Sequence, residues 1–133
     1  MNYSIKKESG KKFEDTLIEL KEGLKVEGFG VLTEIDVAEK LREKINVTFP
    51  KYTILGACDP VFAHKALQAE QEIGLFLPCN VIVYEDGAGK VFVSAIRPTA
   101  AMKMIDNAQL QEISVVVEER LEKVINNLQL DES

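Results

Sequence analysis

Residues 80–96 read NVIVYEDGAGKVFVSAI, two β-rich runs joined by Asp86-Gly87-Ala88-Gly89. Val, Ile, Tyr and Phe suit a pleated, half-buried surface, and a glycine-containing joint between two such runs predicts a β-hairpin over Asn80–Glu85 and Val91–Ile96. Downstream, Leu110, Ile113, Val117, Leu121, Val124 and Leu128 recur at helical spacing over about five turns, the longest apolar stripe in the chain. A hairpin followed by one long amphipathic helix predicts an antiparallel sheet with that helix covering a face.

Upstream of the hairpin, strand and helix signals alternate. Tyr3 and Ile5 alternate with polar neighbours, which predicts a strand over Asn2–Lys7. Phe13, Leu17, Leu20 and Leu24 share one helical face, and Gly28 and Gly30 release the chain into a second strand, Phe29–Glu34. Asp36 is placed as an N-cap with Glu39 three residues on, opening a helix whose apolar face is Val37, Leu41 and Ile45. A third strand, Tyr52–Ala57, runs into Asp59-Pro60, a cap followed by proline at the first helical position. The third helix is expected to end near Glu70, and Gly74 and Pro78 bracket a short apolar connector. Thr99–Ile105 holds a helical turn or two, and Asp106 or Asn107 caps the last helix. The order is strand, helix, strand, helix, strand, helix, hairpin, long helix, which favours α+β over a doubly wound parallel sheet. Met102 and Met104 are expected to fill gaps in packing. Glu118, Glu119 and Glu122 are expected on a wet helix face, and Gln129–Ser133 as a frayed tail.

Composition bounds the function classes. The 133 residues make a single domain, 1–133, with 46% hydrophobic and 29% charged residues, enough apolar material for a core without staples. The net charge of −6 opposes a phosphate backbone, and Lys6, Lys7, Lys11 and Lys12 are interleaved with acids, so no nucleic-acid partner is expected. The start lacks the apolar run of a secretion signal, and the most apolar segment, Ile73–Tyr84, is interrupted and shorter than the roughly twenty residues of a membrane span. A cytoplasmic protein without a membrane partner is expected, with its two cysteines reduced.

Chemistry-bearing residues gather in two stretches. In Cys58-Asp59-Pro60-Val61-Phe62-Ala63-His64 a thiol precedes a helix N-terminus, whose partial positive charge favours a thiolate. His64, one turn beyond Pro60, is placed to lean back toward the cap. A thiol beside an imidazole is the minimal nucleophile arrangement and also two ligands of a soft-metal site. Pro78-Cys79-Asn80 brings a second thiol to the start of a strand, at a spacing that is neither CxxC nor that of a zinc finger. A bland alternative stands beside this: cysteine is often a small buried hydrophobe, and a lone helical histidine is usually solvated. Glycines 87 and 89 join two strands with no helix following, so they form no phosphate loop. Nothing in the sequence resembles a serine triad, and one histidine in the chain leaves room for few acid–base relays.

The stretches Gly28–Asp36, Tyr52–Cys58 and Ile73–Glu85 (IGLFLPCNVIVYE) stand in an order that resembles the bacterial and archaeal domain of unknown function 302 family, over about Tyr3–Leu128. The resemblance implies a TATA-binding-protein-like α+β fold, a curved antiparallel sheet packed against a long C-terminal helix. It implies no DNA binding, since fold and function separate freely, and it brings no activity with it. The chain departs from that pattern at Asp59, where asparagine is expected, and at Gln71, where proline is common. Asp59 keeps the capping role but sets a negative charge beside Cys58, which opposes a thiolate and favours a cation.

Three functions follow as expectations. The first is a small-ligand or metal-binding module whose site comprises Cys58, Asp59, His64, Cys79, Asn80 and Glu34, with Cys58, His64 and Cys79 as ligands of zinc. A fourth ligand would come from Glu34, Asp59 or Glu70. The second is a homodimeric interaction or scaffold protein, because the edge of a small sheet invites pairing. The third is a thiol-dependent enzyme with Cys58 as nucleophile and His64 as base.

Overall fold

The computed structural model describes residues 2–131. Five strands, β1 (Ser4–Ser9), β2 (Gly30–Asp36), β3 (Tyr52–Cys58), β4 (Cys79–Glu85) and β5 (Val91–Ile96), form one antiparallel sheet in the order β1-β5-β4-β3-β2. The first strand therefore pairs with the last, and β2 and β1 are the edges. The helices are α1 (Phe13–Val26), α2 (Val37–Ile45), α3 (Pro60–Ala69), the short α4 (Pro98–Ala101) and α5 (Ala108–Asn127), with 3₁₀ segments at Gln71–Phe76 and Met102–Met104.

The capping residues read from the sequence do their work. Asp36 accepts from Glu39 N at 3.0 Å, Asp59 from Val61 N at 3.0 Å, and Asn107 from both Gln109 N and Leu110 N, satisfying amide groups that no helical carbonyl can reach. Gly28, at φ +88°, closes α1 and turns the chain into β2, a conformation a side chain would strain.

Strand alternation sorts the sheet into two faces. Leu55, Val81, Val83 and Val93 are completely buried and meet Leu20 and Leu24 of α1 and Leu121, Val124 and Ile125 of α5. A smaller cluster, Ala66, Ile73, Met102 and Leu110, seals the gap between α3, the 3₁₀ segment after it and the start of α5. On the other face the residues between these, including Ile54, Ile82, Tyr84 and Phe92, are only half-buried.

Several expectations fail for reasons of placement. The first strand starts two residues later than expected and runs to Ser9, whose hydroxyl pairs with Thr16 Oγ1 at 2.7 Å. The apolar face expected of α2 is not fully buried: Val37 and Leu41 are half-buried, and Ile45 at the end of the helix is 63% exposed. Met102 fills the small cluster, but Met104 is 80% exposed. Glu118 is not on a wet face; it accepts from Thr99 N, Thr99 Oγ1 and Arg97, and so ties α4 to α5. The tail is pinned as far as Leu130, which is buried and whose carbonyl accepts from Gly10 N at 2.6 Å. Residues 132–133 of the expected tail lie outside the described residues.

Candidate functional site

The register of β3 and β4 sets Ala57 opposite Cys79 and Gly56 opposite Asn80. Cys58 thus ends one strand where Cys79 begins its neighbour, and two thiols far apart in sequence reach one end of the sheet. Gly56 is required there: a Cβ would collide with Thr33 Oγ1 and stand 2.6 Å from Pro78 Cγ, whose peptide bond to Leu77 is cis.

From this end α3 departs across α5. The Asp59 carboxylate, 9% exposed, both caps α3 and accepts from Arg120 Nη1 of α5 at 2.7 Å, while the guanidinium lies 5.0 Å from the Phe62 ring centroid. One side chain therefore fixes helix start, helix crossing and charge balance together. Beneath the crossing lies a recess of about 60 Å³, walled by Phe29, Ala57, Phe62, Ile73, Leu110 and Val117 among others, with Cys58, Cys79, Asp59 and Ser114 also on its lining. Its polar groups are already engaged, since Asp59 holds Arg120 and the Ser114 hydroxyl donates to Gln111 O at 2.8 Å.

The thiols are kept neutral. Burial pushes Cys79 up from the ordinary 9.0 to about 11, and a charge on Cys58 would push the same way. Cys58 is also raised, first by burial and then by the neighbouring Asp59 carboxylate. The helix N-terminus does not win here, so the expected thiolate at Cys58 is not favoured.

The six expected site residues divide. Cys58, Asp59 and Cys79 share the recess. His64 does not: Phe62 and Ala66 face inward, and a residue two positions from each departs about 200° around the helix, so the imidazole is exposed. Glu34 pairs with Lys21 Nζ of α1 at 2.6 Å, in a separate groove beside α2, and Asn80 is exposed beside Pro78 and Ile96. Among the described residues no group of three or more His, Cys, Asp or Glu is placed to hold a metal ion. The zinc site of Cys58, His64 and Cys79 is therefore corrected, and with it the pairing of a Cys58 nucleophile with a His64 base. Sequence reasoning missed Arg120, Ser114 and the apolar wall. The one available signal was Arg120 itself, a cation between Val117 and Leu121 at the border of an apolar stripe.

Sheet, helices and recess together define a two-layer α+β domain with an apolar recess where β3, β4 and α3 meet α5. The family model described as domain of unknown function DUF302 matches residues 5–128, and the chain belongs to that family. The chain is similar to a solved crystal structure of an uncharacterised conserved DUF302 protein from Bacillus stearothermophilus, at 31% identity and a TM-score of 0.90, covering 97% of this chain and all of that one. No curated protein matches the sequence. No helix among the described residues is long and apolar enough to cross a membrane.

Proposed function

We propose that the chain is a small-ligand-binding module that seats the apolar part of a small organic molecule in the recess beside Cys58 and Cys79. The supporting observation is the recess itself, an apolar hollow whose few polar groups are already partnered. Such a hollow stays dry, because water needs two to four polar partners, and an apolar group gains by entering it. The volume fits a few carbon atoms, so the ligand is held by an alkyl or ring-edge portion while its polar remainder stays at the mouth near Asp59 and Arg120. The protonated thiols are compatible wall atoms, weakly polar and polarisable.

A homologous series of primary alcohols tests this, read by the rate at which iodoacetamide alkylates Cys79. The reading predicts slowing that grows with chain length to a limit. Ala63→Leu, on the recess lining, abolishes the protection while the fold is retained. Alkylation rates indifferent to every alcohol would overturn the reading.

A further inference from the structure

The sheet face turned away from the helices has the wrong composition for water. In an antiparallel sheet with one solvated face, outward positions are ordinarily polar. Here positions 52, 54 and 56 of β3, 80, 82 and 84 of β4, and 92, 94 and 96 of β5 carry no charged side chain. Instead an aromatic row crosses the face: Tyr52 stacks on Tyr84 at 5.6 Å between centroids, and Tyr84 on Phe92 at 5.5 Å. Beside it runs an aliphatic row in register, Ile35, Ile54 and Ile82. Charge begins only at the border strand β1, where Lys6 Nζ lies 4.5 Å from the Phe92 ring centroid. An uncharged centre rich in aromatic residues with a charged margin is the anatomy of a protein interface.

We infer that this face is covered by the same face of a second copy of the chain. Five strands about 4.8 Å apart, with three outward rows about 6.8 Å apart, give a patch of roughly 480 Å² per copy. Counting the charged rim strand, two copies together remove about 1,000 Å² from water, the lower limit for a specific interface and the size of a weak, concentration-dependent dimer. Exposed Phe49, whose ring centroid lies 6.3 Å from that of Tyr52, extends the patch at one corner. Twisted antiparallel sheets pack face to face with their strands inclined by about 30°, and a two-fold axis makes one patch self-complementary. The negative net charge disfavours nucleic acid as the occupant. This inference stands apart from the recess, which opens between helices on the other side of the sheet.

Sedimentation of the whole chain tests it. Wild type is expected at twice the 14.8 kDa chain mass. Ile54→Lys and Ile82→Lys, which bury an unpaired charge at the patch centre, weaken association by about a hundredfold or more with circular dichroism unchanged. Ile18→Lys, at a 56% exposed position of α1, leaves the dimer intact. Should the lysine variants misfold, nitration of the wild-type tyrosines gives a second readout. Tyr52 and Tyr84 are protected above the association midpoint and react below it, while Tyr3, 68% exposed, reacts at both concentrations. A monomer at every concentration overturns the inference. So does a dimer that survives both lysine variants, or nitration of Tyr52 and Tyr84 that ignores concentration.

Discussion

The two faces of this one sheet differ less in hydrophobicity than in what covers them. Toward the helices, Leu55, Val81, Val83 and Val93 are completely buried by α1 and α5. Away from them, Tyr52, Ile54, Ile82, Tyr84 and Phe92 carry comparable apolar area and are covered mainly by one another. Alternation alone does not tell which apolar face forms the core. The helices decide it, and the other face is left as surface for recognition. The same contrast is repeated in miniature where the sheet ends: Cys79 begins the covered side yet borders a hollow that the helices do not fill.

The contrast can be broken or sharpened by experiment, and the largest effect is expected at Cys79. With its thiol raised to about 11, alkylation at pH 8 should run about a hundredfold slower in the folded protein than in urea, and the folded rate should keep climbing past pH 10. Because the fold favours the neutral thiol, its contribution to stability is full below about pH 9 and is lost as pH rises toward 11. Equal folded and unfolded rates would place Cys79 on the wet side. Next in size, Leu121→Ala removes a completely buried side chain of the covered face and should cost about 2–5 kcal/mol in urea denaturation. A cost under about 1 kcal/mol would mean that α5 does not seal that face.

Gly56→Ala should cost about 1–3 kcal/mol, because the added methyl meets Thr33 and Pro78. An unchanged denaturation midpoint would show that this end of the sheet is looser than described. The smallest effect separates the two jobs of Asp59. Asp59→Ala should lose about 1–2 kcal/mol, whereas Asp59→Asn keeps the cap and gives up only part of the partly exposed pair with Arg120, about 1 kcal/mol or less. Identical losses from the two variants would remove the cap from the account.

The order of elements was legible because each signal is local. Asp36, Asp59 and Asn107 cap helices within three residues of themselves, and the stripe from Leu110 to Leu128 needs only helical geometry. Cys58 and Cys79 meet at one end of the sheet through the register of β3 against β4, a non-local pairing that no local signal carries. What failed depends on the rotation of a helix against a distant layer. His64 has the spacing to reach the cap, yet Phe62 and Ala66 claim the inward side of α3 and turn it outward. Ile45 belongs to an apolar stripe whose last residue the fold leaves exposed, and Glu118 was read as wet because its partners Arg97 and Thr99 lie about twenty residues away. The recess was illegible for the same reason, as a hollow is the space that several non-local side chains leave.

Xenon binding tests that hollow most directly, because the gas enters dry apolar cavities and ignores wet or filled ones. In crystals held under xenon pressure, a peak is predicted between Phe62, Ile73 and Leu110, beside Cys79, and it should vanish in Ala63→Leu. Crystals that take up xenon elsewhere, or that show ordered water in that space, would contradict the account.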